Sequence, residues 1–121
     1  MKPEDLHSMF AEAFNAGDVD RMLALYEPEA TLMPTPGPVR SGAAEIRETL
    51  QRFVAVPRRM TISTDYAIRM GEIALLRARW TTVPVQGKGA AHQGYSSEVA
   101  RLQSDGRWLY IIDYPLGGSA P

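Results

Sequence analysis

Between Phe14 and Leu50 the chain, FNAGDVDRMLALYEPEATLMPTPGPVRSGAAEIRETL, carries a stop or start signal at nearly every joint. Asn15-Ala16-Gly17-Asp18 puts a glycine where a helix end needs positive φ, followed at once by an aspartate able to cap the next helix. Pro34, Pro36 and Pro38 cannot donate to a ladder, so the stretch after a short strand at 30–33 is loop or sheet edge. Ser41 or Gly42 then opens another helix. The order is helix, short helix, strand, proline loop, helix.

The flanking segments extend this order. A first helix runs from residue 3 or 4 to 16, with Leu6, Met9, Phe10, Ala13 and Phe14 as its apolar stripe. His7 sits one step off that stripe, at the helix edge. The second helix runs from Asp18 to about residue 26, with Val19, Met22, Leu23 and Tyr26 inward and Pro28 helping to stop it. The third carries Ala43, Ile46, Leu50 and Phe53 on one face to about residue 54. Everything after Pro57 reads as sheet. Residues 60–70 alternate, with Met60, Ile62, Thr64, Tyr66, Ile68 and Met70 on one face. Further strands are expected at 73–83, 92–103 and 108–114, and the tail GGSAP (117–121) should fray. Helices followed by an antiparallel meander argue an α+β fold: three N-terminal helices packed on a strongly curved antiparallel sheet that forms a cone-shaped pocket.

Size and charge narrow the role. The 121 residues make a single domain, 1–121, large enough for one core. The net charge is −1 with no basic block, which gives no support to a nucleic-acid or membrane-surface partner. There is no cysteine, hence no disulfide, thiolate nucleophile or thiolate metal site. No apolar run approaches the roughly 20 residues of a spanning helix, and MKPEDLHSMF lacks the apolar core of a signal peptide, so a cytoplasmic location is expected.

Ser104-Asp105-Gly106-Arg107 carries the Asp-Gly hairpin signal and sets a computable register. If Ser104 and Arg107 close a two-residue turn, Leu102 faces Leu109, Ala100 faces Ile111, and Glu98 faces Asp113. On the other face Arg101 meets Tyr110, Val99 meets Ile112, and Ser97 meets Tyr114. Two carboxylates then stand opposite each other on an otherwise apolar face. In a desolvated pocket one of them should hold its proton to near-neutral pH, with Glu98 the first choice. The other reading solvates Asp113 at its strand end and pairs Glu98 with Arg77 or Arg79.

The segments FNAGD, ALYEPEATL, RSGAAEIRE and DGRW resemble the nuclear transport factor 2-like superfamily, in its small ketosteroid isomerase-like and polyketide cyclase-like branch. The resemblance covers residues 6–117. It implies a conical pocket between the helices and the concave sheet face, and a homodimer through the convex face. Ketosteroid isomerase uses an aspartate base, with a tyrosine and a protonated aspartate holding the oxyanion. The tyrosine position falls on Phe10, the base position on Pro34 and the protonated-acid position on Glu98. Phenylalanine cannot donate and proline cannot take a proton, so steroid isomerisation by that mechanism is not expected.

Two function classes stay open. One is a cofactor-independent isomerase, cyclase or dehydratase using Glu98 and Asp113 as acid and base. The other is a non-catalytic dimeric domain that binds a hydrophobic small molecule. In both, Phe10, Phe14, Tyr26, Leu32, Pro34, Phe53, Ala100 and Ile111 line the pocket, with Met33, Trp80 and Tyr95 as further wall or rim. No cofactor or metal is implied, because no two histidines have ligand spacing. His92 lies roughly 20 Å along the strand from Glu98 and reads as a surface residue. Arg77 and Arg79 remain ambiguous. The hydrophobic pattern turns them outward, whereas position-matching to the isomerase turns them into the pocket.

Overall fold

The computed structural model describes residues 1–118. The elements are α1 (Asp5–Asn15), α2 (Val19–Leu23), β1 (Tyr26–Leu32), β2 (Arg40–Ser41), α3 (Ala43–Phe53), β3 (Arg58–Met70), β4 (Ile73–Pro84), β5 (His92–Tyr95), β6 (Ser97–Leu102) and β7 (Trp108–Tyr114). The strand order is β2-β1-β7-β6-β4-β3, with β5 also on β4. All neighbours are antiparallel except β1 and β7. The three helices cover one face of this curled, unclosed sheet, giving the expected α+β cone. Leu6, Phe10 and Phe14 of α1, Met22 of α2, and Ile46 and Leu50 of α3 meet Leu76, Ala100 and Tyr110 of the sheet in the core.

The helix joints follow their signals. Gly17 has φ +64, and Asp18 caps α2 by accepting from the Arg21 N–H at 3.1 Å. Helix α2 is shorter than its stripe suggests, because Tyr26 already opens β1. Pro28 lies where β1 shifts register against β7, between Tyr26 and Thr31, so its missing N–H interrupts no regular ladder. At its C-terminal end α1 is clamped to β3 by Asn15. That side chain donates to the Met60 carbonyl at 2.9 Å and accepts from the Met60 N–H at 2.7 Å. One amide thus replaces the strand partner that edge strand β3 lacks.

Two one-residue irregularities correct the expected faces. In β3, Thr64 pairs with Ala78 but Tyr66 pairs with Arg77, so Asp65 is an extra residue. Met60 and Ile62 face the helices as expected. Beyond the bulge Tyr66, Ile68 and Met70 turn to the outer face, where Met70 is 81% exposed. In β7 the register shifts between the Val99–Ile112 and Ala100–Tyr110 pairs, and Ile111 is the extra residue. Tyr110, expected on the convex face, is therefore buried on the inner one. The sequence 92–103 is interrupted only at Ser96, whose hydroxyl accepts the Ala78 N–H at 2.9 Å.

The outer face carries an apolar row in direct register across four strands: Ile68, Leu75, Val99 and Ile112. Arg77 and Arg79 lie on that face too, over the Tyr95 ring at 4.9 and 5.6 Å, and Arg77 pairs with Asp65 at 3.2 Å. The hydrophobic pattern, not the position match, places these arginines. Gly117 and Gly118 donate to the Tyr114 and Tyr95 carbonyls, so this part of the expected frayed tail is tied down. Residues 119–121 of that tail lie outside the described residues. No described helix is long and apolar enough to cross a membrane.

Candidate functional site

A cavity of about 500 Å³ opens between α1, α3 and the inner face of β3, β4 and β7. Phe10, Phe14 and Phe53 from the helices, with Met60, Ile62 and Trp80 from the sheet, make its walls largely apolar. Pro34 lines it as expected. Four other expected lining residues do not. Leu32 and Ala100 are fully buried in the core beside it, Tyr26 lies behind it, and the bulge displaces Ile111 from the Ala100 register. Met33 instead ties β1 to β7 through its N–H to the Asp113 carbonyl, and Tyr95 is on the opposite sheet face.

The polar groups converge at one end. Glu98 and Asp113 are cross-strand partners, 6% and 5% exposed, and both line the cavity. Their pairing survives through two cancelling offsets. The turn is a three-residue loop in which the Gly106 N–H donates to the Gln103 carbonyl and Gly106 takes φ +90, so Gln103 and Arg107 close it. That slips the expected register by one residue, and the bulge at Ile111 restores it before Asp113.

His7 completes the site. It is buried, not at the helix edge, with Nε2 2.7 Å from Glu98 Oε1 and Nδ1 2.7 Å from Thr64 Oγ1. A carboxylate only accepts, so Nε2 carries the proton and Nδ1 accepts from the threonine hydroxyl. The bulge at Asp65 follows directly on Thr64 and leaves that hydroxyl under α1. A sequence signal for His7 existed: with Phe10 and Phe14 it forms an i, i+3, i+7 stripe of its own, and that stripe faces the cavity.

On the other carboxylate, Tyr26 donates to Asp113 Oδ2 at 2.5 Å. Burial, first, and the neighbouring Glu98, second, push Asp113 from its ordinary 3.8 up to about 8, against the lowering effect of the tyrosine bond. At neutral pH Asp113 is therefore mainly a neutral acid and can donate. Tyr110 has its phenol pKa raised well above the usual value, by burial and then by Glu98 and Asp113, so it too stays a donor. Its hydroxyl has no protein partner among the described residues, and Tyr110 lines the cavity. The site thus presents a glutamate held by an imidazole N–H, a neutral aspartic acid and a free phenol to an apolar space. Among the described residues, no three His, Asp or Glu side chains are placed to share a metal ion.

At the far end of the cavity stand Arg58, Thr82, His92 and Gln93. His92 is exposed there, as expected of a surface residue, yet it rims the opening.

A curled, unclosed sheet under three helices is the cone fold of the nuclear transport factor 2-like superfamily. Residues 7–111 match the SnoaL-like domain, and the chain belongs to that family. Among the solved structures that share its fold are the following three. A candidate dehydratase of the NTF2-like family from Streptomyces avermitilis superposes with a TM-score of 0.80 at 18% identity, over 97% of this chain and 94% of that one. A ketosteroid isomerase-like protein from Erwinia carotovora atroseptica gives 0.73 and 18%, over 93% and 90%. A candidate scytalone dehydratase from Novosphingobium aromaticivorans gives 0.76 and 12%, over 92% and 78%. Compared with curated proteins, the sequence has no match.

Proposed function

We propose that the protein is a cofactor-independent acid–base enzyme acting on a largely apolar small molecule, as an isomerase, cyclase or dehydratase. The observation that carries this reading is the joint burial of His7–Glu98 and Asp113–Tyr26 beside the free Tyr110 hydroxyl. A binding domain has no need of two opposed buried carboxylates, whose desolvation is costly. In the proposed cycle a substrate carbonyl accepts from the neutral Asp113 and from Tyr110. Glu98, oriented by His7, removes a proton from the adjacent carbon. The resulting enolate is held by the same two donors. It is then reprotonated elsewhere, attacks a second carbonyl, or expels a β-hydroxyl. Tyr110 supplies the donor that Phe10 cannot, Glu98 takes the base role that Pro34 cannot, and Asp113 takes the neutral-acid role, so the roles are distributed differently from those of ketosteroid isomerase.

The elementary step is testable without the natural substrate. With α-tetralone in D2O, followed by proton NMR, the wild type should accelerate exchange of the protons next to the carbonyl. Glu98→Gln should lower that exchange by about 10²-fold or more. Exchange equal to the buffer rate, or unchanged in Glu98→Gln, refutes the reading.

We also propose that the protein is a homodimer through the convex sheet face. The row Ile68, Leu75, Val99 and Ile112 supports it, and Ile68 and Ile112 are 59% and 48% exposed. Light scattering should give twice the 13.4 kDa chain mass. Leu75→Glu, in the middle of the row, should halve that value. A monomeric wild type ends the proposal.

A further inference from the structure

We infer that the ligand carries a carboxylate, held at the mouth of the cavity by Arg58. This rests on the reading above only in assuming that a small molecule occupies the cavity. Arg58 is the one lysine or arginine among the described lining residues. Its Nε donates to Thr82 Oγ1 at 2.9 Å, and Nη2 donates to the Thr82 and Ala90 carbonyls at 3.1 and 2.7 Å. These three bonds fix the guanidinium plane without neutralising it, since no carboxylate among the described residues lies within ion-pair distance. Nη1 keeps both its N–H donors free, and it is not a sealed atom.

The surroundings leave that charge unopposed. His92 is the cross-strand partner of Thr82, which places its imidazole beside the residue that holds Arg58. No Asp or Glu occurs between Glu48 and Asp65, or between Glu72 and Glu98, so the strand ends and loop around the mouth contain no acid. The acids lining the cavity, Glu98 and Asp113, belong to the opposite end. Along β4, Leu76 pairs with Glu98 and Thr82 with His92, six residues apart and so roughly 20 Å between backbones. An anionic group is repelled from the inner end and attracted to the mouth. The polarity therefore sets the orientation of the ligand: reactive carbonyl inward, apolar body along the phenylalanines, carboxylate outward on a fixed cation. A guanidinium with one free edge suits a carboxylate better than a neutral group.

The test compares 4-phenylbutanoate with 4-phenylbutanamide, which share one apolar body, by calorimetry at low ionic strength. The wild type should bind the carboxylate at least about tenfold more tightly, the usual scale of one charge-assisted hydrogen bond. Arg58→Met should bring the carboxylate down to the affinity of the amide and leave the amide unchanged. Glu98→Gln, which abolishes exchange under the acid–base reading, should keep the preference, so the two ideas fail separately. Equal affinities in the wild type, binding of neither compound, a preference that persists in Arg58→Met, or one lost in Glu98→Gln would each overturn the inference. The wild-type comparison decides even if the Arg58 variant does not fold.

Discussion

Replacing Asp113 with asparagine is expected to stabilise the fold by several kcal/mol at pH 8 and to change it little at pH 4. The reason is that Asp113 is buried opposite Glu98 and titrates at about 8 in the folded protein, against an ordinary 3.8. The folded state therefore binds more protons than the unfolded chain between these values. Stability must fall as pH rises through that window and level off above about 8. Each unit of difference is worth about 1.4 kcal/mol, so roughly 5 kcal/mol is the ceiling, before Glu98 and its proton adjust to the change. Asparagine imitates the neutral acid. Its carbonyl accepts from Tyr26 as Oδ2 does, its amide can donate where the acid does, and it never ionises. Urea denaturation of both proteins at several pH values measures the difference. A gain that grows from pH 4 to pH 8 is the expected signature. A pH-independent effect, or a loss at pH 8, shows that Asp113 is solvated or neutralised in solution.

The parts of this site that the sequence disclosed, and the parts it hid, divide along physical lines. Helix stripes, the Gly17-Asp18 joint and the proline loop act through local sterics and hydrogen bonding, and each left its residue type in the chain. The antiparallel sheet was legible as alternation. The faces of its strands were not, because a bulge adds one residue without demanding a distinctive one. Asp65 sits inside a run that alternates without a break, and Ile111 is one of two adjacent isoleucines. Each reverses every side chain beyond it, which carried Tyr110 inward and Ile68 and Met70 outward. The Glu98–Asp113 pairing came through because the Gly106 turn and the Ile111 bulge shift the register in opposite senses. His7 was misplaced for a different reason. Its partners Thr64 and Glu98 are 57 and 91 residues away, and no local rule reports a contact at that separation.

His7→Leu should cost roughly 2–3 kcal/mol of stability at neutral pH, the usual result of removing the hydrogen-bond donor of a buried charged group. The imidazole is 3% exposed and contacts Glu98 at 2.7 Å, in the cavity that also holds Asp113. Leucine fits the α1 face and is a better helix former than histidine, so the loss cannot come from the helix itself. It comes from Glu98, which must either remain charged without a partner or give up its charge. Either course is penalised in an apolar site beside a second carboxyl. Glu98→Gln alone should cost only about 1 kcal/mol, because the amide oxygen still accepts from Nε2. In the double variant the stranded charge no longer exists, so most of the His7→Leu loss should disappear. A double-mutant cycle by urea denaturation at pH 7 should then show a coupling of about 2 kcal/mol or more between two residues 91 positions apart. Additivity within about 0.5 kcal/mol would mean that the two side chains do not depend on each other. Glu98 would then lose the partner that orients it, and with it the geometry on which the proposed base depends.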